Sequence, residues 1–458
     1  MTKSLNKVFI ANRGEIAVRI IRACQTAGIR TVQAYSTADK ETAAVRMADE
    51  SVCIGEAKPS ESYLNSEVLV RAAKEAGADA VHPGYGFLSE SADFAQAVED
   101  ADLIYIGPSP DTIRMMGDKV MARQCAQKAG VPVSQGSQDV IQSDGQALEI
   151  ANRVGYPVLI KAVAGGGGRG MRVARDQTEL KDNIGRAMKE AEAAFGSGEV
   201  YIEKFLERIR HIEVQIFGDG KEVIHLGDRD CSIQRRHQKL LEEGPASVLD
   251  AEMQAHIRKA ARDLGQSIAY RGAGTVEFIA DPEKREFYFI EMNTRIQVEH
   301  PVTEMLTGVD LVALQLAVAA GKPLPFKQED ISLQGHAIEV RINAEDPAKA
   351  FIPRAGKITE FRMPSGPGIR VDTHVYAGYD LPTVYDSLLA KIIVWGENRV
   401  QAMANLNRAL ADTHIEGVTT TLGFHQRLLS EDAFVRNETH TQFIKEQLYA
   451  KHPMRNLL

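Results

Sequence analysis

The sequence predicts a chain of mixed α/β and α+β class: a doubly wound parallel sheet first, then a smaller region holding a glycine-rich loop, then a strand-rich remainder. Short apolar strands alternate with helical patterns between Val8 and Ile106. Four consecutive glycines, Gly165 to Gly168, follow a strand pattern ending at Lys161. Past Arg208 the chain is dominated by stretches that alternate polar with apolar residues. These shifts divide it into segments 1–118, 119–206 and 207–458.

Taken in order, residues 8–11 are an apolar strand. Residues 14–27 carry Ile16, Ile20, Ala23 and Ala27 at helical spacing, and Gly28 stops the helix. A strand at 31–35, a helix at 68–76 ended by Gly77, and strands at 80–82 and 103–106 complete the first segment. Short strands separated by helices pair in parallel. Asn12-Arg13-Gly14-Glu15 is not G-x-G-x-x-G, which disfavours a dinucleotide site and a dehydrogenase. The second segment reads as a helix at 119–129 closed by Gly130 and Pro132, a strand at 156–161, a helix at 178–195 and a strand at 200–204. The third reads as strands at 211–217, 222–227, 274–280, 287–298 and 337–343, with a helix at 399–411.

With 458 residues, 44% hydrophobic and 25% charged, the composition is that of a globular protein of several domains. A net charge of −8 speaks against a nucleic-acid partner. Cys24, Cys53, Cys125 and Cys231 form no C-x-x-C pair, so neither a zinc site nor a disulfide framework is expected. No signal-peptide core and no apolar run of membrane-spanning length is visible, and the expected location is the cytoplasm, away from membranes.

Chemistry concentrates in residues 289–300, Phe-Ile-Glu-Met-Asn-Thr-Arg-Ile-Gln-Val-Glu-His. On an extended chain Glu291, Asn293, Arg295, Gln297 and Glu299 share one face, opposite Ile290, Met292, Ile296 and Val298. A half-solvated strand would also alternate, but acid, amide and base in this order suit a metal beside an oxyanion. A hairpin loop centred on Lys284 sets Glu277 across from Glu291, about 5 Å apart at Cβ. Two such carboxylates repel unless a cation joins them, and Mg²⁺ takes oxygen ligands. Asn293 would add a neutral oxygen. This pairing requires an odd-length loop, because an even one shifts the register by one residue.

The Gly165–Gly170 run is either a surface turn or a loop whose backbone N–H groups wrap phosphate, with Lys161 adding a cation. It is not a Walker A loop. Residues 234–239, Gln-Arg-Arg-His-Gln-Lys, are a solvated basic loop or a source of anion contacts. Arg341 taken alone suits a structural salt bridge, and His211 and His225 suit satisfied structural histidines.

Together these residues resemble the ATP-grasp fold, and within it the biotin carboxylase family. The resemblance rests on Gly-Gly-Gly-Gly-Arg-Gly-Met at 165–171, the Glu277/Glu291 pair and Glu-Met-Asn-Thr-Arg-Ile-Gln-Val-Glu-His at 291–300. It extends to Ile-Ala-Asn-Arg-Gly-Glu-Ile-Ala at 10–17, His-Pro-Gly-Tyr-Gly-Phe-Leu-Ser-Glu at 82–90, Arg-Asp-Cys-Ser at 229–232 and Arg-Ile-Asn-Ala-Glu-Asp-Pro at 341–347. It thus covers essentially the whole chain. It implies a Rossmann-like doubly wound N-terminal domain, a mobile glycine-loop ATP-grasp lid, and a strand-rich C-terminal portion that completes the ATP-grasp and carries the family's last domain.

The resemblance also implies roles. Lys119 and Lys161 contact phosphate; Gly165, Gly166, Gly167, Gly168 and Met171 close over it. Glu203, Lys204, Leu206 and His211 surround adenine and ribose, with Gln234 and His237 also on the nucleotide side. Glu277 and Glu291 hold Mg²⁺ (or Mn²⁺), assisted by Asn293. Lys239, Arg295, Gln297 and the Val298 backbone cradle bicarbonate, which Glu299 deprotonates. Bicarbonate then attacks the γ-phosphate, and the resulting carboxyphosphate releases CO₂ beside biotin, whose enolate Arg341 stabilises. No Met-Lys-Met attachment sequence is present, the nearest string being Ala187-Met188-Lys189-Glu190. Biotin is therefore expected on a separate carrier protein, with separate carboxyltransferase subunits and a homodimeric carboxylase. Acetyl-CoA carboxylase is the implied parent; propionyl-CoA, pyruvate and urea-type carboxylases have similar subunits. Other ATP-grasp ligases, such as a carbamoyl-phosphate synthetase half or a carboxylating purine enzyme, lack Arg-Ile-Gln-Val-Glu-His. A silent scaffold would not need Lys239, Glu299 and Arg341 intact. Gly244, the apolar helix after Asp310, and Arg354 depart from the family pattern.

Overall fold

In the computed structural model, residues 4–137, 140–141, 143–163, 171–235 and 238–449 are described. Gly165, Gly166, Gly167, Gly168 and His237 lie outside them.

The first sheet is parallel, as the strand–helix alternation predicts. Its five strands run in the order Glu50–Gly55, Arg30–Ser36, Lys7–Ile10, Ala80–His82, Ile104–Tyr105. At its switch point, where a nucleotide would enter a dinucleotide fold, Asn12 donates to Pro83 O (2.6 Å) and Tyr85 O (2.7 Å). A Cβ at Gly84 would come within 2.9 Å of that amide.

Next along the chain is a three-stranded antiparallel sheet, in the order Met171–Ala174, Val158–Ala162, Val200–Lys204. Helices Asp144–Val154 and Gln177–Phe195 cover its apolar face through Ile150, Ala151, Leu180, Ile184 and Ala187.

The third body is an antiparallel sheet of eight strands. The order is Glu286–Asn293, Arg271–Asp281, Arg210–Asp219, Val223–Arg235, Gln238–Gly244, His336–Asn343, Leu388–Gly396, Ile369–Thr373. Helix Ala251–Ser267 packs Met253, Ile257, Ala261 and Leu264 against Ile212, Val214 and Ile216. The helix Leu311–Ala319 lies against the first helix, Gly14–Thr26, which explains its unusual apolarity: Leu311, Val312, Leu314, Leu316 and Val318 are all buried. No single described helix is long and apolar enough to cross a membrane.

Two expected strands need correction. The strand at 287–298 ends at Asn293, and residues 294–299 turn. The reason is the helix that follows, His300–Thr307: Pro301 has no N–H for a ladder, and its fixed φ suits a first helical turn. The strand at 222–227 instead runs on to Arg235.

Candidate active site

The hairpin departs from expectation as well. Asp281 pairs with Glu286, so the loop 282–285 is even, not odd. That register would set Glu277 across from Ile290. A bulge between Glu277 and Phe278 adds Ile290 to one strand only, and Glu277 pairs with Glu291 after all. The bulge also solves a packing conflict. Phe287 and Phe289 share odd numbering with Glu291, yet they pack on Phe278 in the core. One extra residue lets phenylalanines face inward and Glu291 face the cleft.

Both acids line a cleft of about 990 Å³ between the small and large sheets. Burial and then the facing Glu277 push the Glu291 carboxyl up, while Lys119 and Lys161 pull it down. Glu291 makes no hydrogen bond or ion pair among the described residues. Glu277 is heavily served: it accepts from His211 Nε2 (2.8 Å), Asn293 Nδ2 (2.6 Å), Gln297 Nε2 (3.0 Å) and Lys239 Nζ (3.4 Å). Burial would raise it, but Lys239 and His211 hold it far below the usual carboxylate range. Asn293 differs from expectation, since its oxygen accepts from Arg295 Nη2 (3.1 Å) and its nitrogen faces Glu277. Two facing hard-oxygen donors, one otherwise unpaired, fit a divalent cation of the Mg²⁺ or Mn²⁺ kind.

Glu299 leads into the helix His300–Thr307 and is 2% exposed. One oxygen accepts from Lys239 Nζ (2.7 Å), the other from Arg341 Nη2 (2.9 Å). Burial acts to raise this carboxyl; Lys239 and Arg341 outweigh it and keep it well below the ordinary range. Arg295 reaches Glu90 (2.9 Å), and Gln297 has both amide ends engaged.

At the other end, Lys161 pairs with Glu203 (2.8 Å), which also accepts from Ser134 Oγ (2.9 Å). Burial lowers Lys119, with Glu291 opposing. Lys204 lines the cleft but gives its amine to Gly155 O (3.0 Å) and Tyr156 O (2.9 Å). Met171, Leu206 and Gln234 also line the cleft, as do Val298 and the C-terminal residues Thr441 and Ile444.

Sequence reasoning missed the residues beneath this layer. Arg229, fully buried, donates to Gln215 (2.9 Å), Thr303 (2.9 Å), Glu213 (3.2 Å), Thr275 (3.3 Å) and Gln297 (2.6 Å). Glu213 also pairs with Lys239, and Glu242 accepts from Arg341 Nε (2.7 Å). Arg229 opens the Arg-Asp-Cys-Ser string, which carries no expected role. Its flanking acids in an apolar stretch are the available signal, hidden when the strand is taken to end at Gly227.

Comparison with known proteins decides the family. Residues 4–113 match the model of the biotin carboxylase N-terminal domain. Residues 118–327 match the carbamoyl-phosphate synthase L chain ATP-binding domain, and 339–446 the biotin carboxylase C-terminal domain. Biotin carboxylase 1 of Bacillus subtilis is 52% identical over 442 residues, covering 96% of this chain and 98% of that one. The chain belongs to the biotin carboxylase family. A pyruvate carboxylase subunit of Methanothermobacter thermautotrophicus is 49% identical, over 96% of this chain and 90% of its own length. Among solved structures, the biotin carboxylase domain dimer of Hydrogenobacter thermophilus 2-oxoglutarate carboxylase, in complex with MgADP, ADP and bicarbonate, aligns with a TM-score of 0.94. It is 46% identical and covers 98% of this chain and 99% of that one. As a biotin carboxylase the chain is an ATP-dependent ligase of ATP-grasp fold.

Proposed function

We propose that this biotin carboxylase uses ATP and bicarbonate to carboxylate biotin held on a separate carrier protein, and that the cleft's residues divide that work. The carrying observation is Glu299 fixed between Lys239 and Arg341 in the same cleft as the Glu277/Glu291 pair. Lys119 and Lys161 bind the nucleotide phosphates, with Met171 and the glycines Gly165 to Gly168 over them. Glu203, Lys204, Leu206, His211, Gln234 and His237 take the adenosine side. Glu277 and Glu291 would hold the divalent ion, which when bound neutralises phosphate charge; Asn293 joins them only if its amide turns.

Lys239, Arg295, Gln297 and the Val298 backbone receive bicarbonate. Glu299 is ionised at neutral pH and accepts the bicarbonate proton. An entering anion shares Lys239 and Arg341 with it, and the weakened pairing raises its basicity. The freed oxygen attacks the γ-phosphorus, ADP leaves, and carboxyphosphate forms. That species yields CO₂ and phosphate; the phosphate takes the biotin ureido proton, and the nitrogen attacks CO₂ while Arg341 stabilises the anion. Excluding water protects carboxyphosphate, the physical purpose of a closing lid.

ATP hydrolysis should require bicarbonate and rise with free biotin. Hydrolysis indifferent to both would defeat the reading. A further expected result concerns pH. Arg341 holds Glu299 down, so Arg341→Gln should move the acid limb of kcat/KM for biotin-independent, bicarbonate-dependent ATP cleavage to higher pH. An unshifted limb would take Glu299 out of that profile.

We assign the chain to a cytoplasmic homodimer acting with a biotin carboxyl carrier protein and carboxyltransferase subunits of acetyl-CoA carboxylase. The dimer of the 2-oxoglutarate carboxylase domain supports the homodimer, and relatives named for biotin carboxylase alone, at nearly full mutual coverage, support a free-standing subunit. The pyruvate carboxylase relative favours a pyruvate-type acceptor as the second reading. Identifying the biotinylated protein that co-purifies with the chain separates the two.

A further inference from the structure

Lys391 lies on the strand Leu388–Gly396, directly across from Arg341, and its side chain is wholly buried. An ammonium in such a place needs hydrogen-bonding partners. It has two close ones: Glu15 Oε1 at 2.9 Å and the main-chain oxygen of Val298 at 2.7 Å, with Asp372 at 4.0 Å. Glu339, also fully buried, has no hydrogen bond at either oxygen among the described residues, and burial pushes its carboxyl well above the usual range, so it offers Lys391 no counter-charge. The amine thus divides between one carboxylate, that of Glu15, and one main-chain carbonyl, that of Val298.

That carbonyl belongs to the peptide leading into Glu299. The carbonyls on either side of it are satisfied locally: Gln297 O accepts from His300 Nδ1 (2.7 Å) and Glu299 O from the Val302 N–H (3.1 Å). Lys391 supplies the long-range tether. At its far side, Glu15 sits in the first turn of the helix Gly14–Thr26 and also accepts from the Tyr85 hydroxyl. One ammonium thus joins the N-terminal helix, the C-terminal strand and the Glu299 turn.

We propose that Lys391 is a positioning residue for the reaction: through the Val298 carbonyl it fixes the peptide that aims Glu299 between Lys239 and Arg341. This rests on the reading of Glu299 as the bicarbonate base. Lys391 itself touches no substrate. Rotation of the 298–299 peptide would misplace the carboxylate, and displacements near 1 Å cost on the order of 10²-fold in rate.

The test compares Lys391→Met with Lys391→Met/Glu15→Gln, because the single change strands a buried carboxylate and the double change does not. In the double variant, kcat for bicarbonate-dependent ATP cleavage should fall about 10–100-fold and the KM for bicarbonate rise. The KM for ATP should stay within about twofold and thermal stability near wild type. Glu15→Gln alone, which keeps the amine on the carbonyl, should hold kcat within about threefold. A double variant with wild-type kcat and bicarbonate KM overturns the proposal. So does a loss in which the KM for ATP worsens in step with that for bicarbonate, the mark of a merely structural lysine. If the wild-type chain itself cleaves ATP without regard to bicarbonate, the base assignment has failed first, a result distinct from either.

Discussion

Replacing Glu299 with glutamine should cut bicarbonate-dependent ATP cleavage by about 10²–10⁴-fold, the range a positioned general base contributes, with ATP affinity near that of wild type. The substitution keeps size and one acceptor oxygen, and replaces the charge and the second acceptor with an amide donor. Lys239 keeps Glu213 and Glu277 as partners and Arg341 keeps Glu242, so neither cation is stranded. The nucleotide side of the cleft, where Lys161 and Glu203 pair, makes no hydrogen bond to Glu299 among the described residues. Nucleotide binding by calorimetry and cleavage with and without bicarbonate separate the two effects. Loss of nucleotide binding in this variant would assign Glu299 the wrong role.

The largest stability effect should come from Arg229→Met, a loss of about 3–5 kcal/mol. The guanidinium is 0% exposed and bridges Glu213, Thr275, Gln297 and Thr303. Removing it leaves Glu213, also 0% exposed, with Lys239 and the His211 imidazole (3.6 Å), and Gln297 without the donor to its amide oxygen. Glu213→Gln in the Arg229→Met background should recover part of the loss, since a neutral amide is less costly to bury than an unpaired charge. Denaturant unfolding of the single and double variants measures both. A midpoint unchanged by Arg229→Met would mean that this arginine does not hold the floor of the cleft.

Much of the site was legible because its side chains follow one another on short, strongly patterned segments. Glu291, Asn293, Arg295, Gln297 and Glu299 do converge on one cleft, although strand geometry brings only the first two there. The rest arrive through a turn that Pro301 announces. The even loop and its compensating bulge were encoded too: Phe287 and Phe289 share odd numbering with Glu291, so core and cleft faces cannot both be served by unbroken alternation. What stayed hidden was pairing at a distance. No spacing links Arg229 to Gln297, Glu242 to Arg341, or Glu90 to Arg295, because those contacts depend on strand order in the eight-stranded sheet and on how the parallel sheet docks beside it. Two departures from the family pattern gained local explanations. A Cβ on Gly244 would lie 3.0 Å from Asp228 O, Leu306 and Val302, and Arg354 pairs with Asp346 at 2.8 Å.

Every role proposed for this cleft requires that the one-carbon substrate attack the nucleotide within it. Cleaving ATP with ¹⁸O-labelled bicarbonate in the presence of free biotin, and measuring the label in the inorganic phosphate released, tests this most directly. Transfer of bicarbonate oxygen into phosphate is the predicted result. Phosphate carrying only solvent oxygen would mean that water is the nucleophile, and that Glu299, Lys239 and Arg341 do not serve bicarbonate.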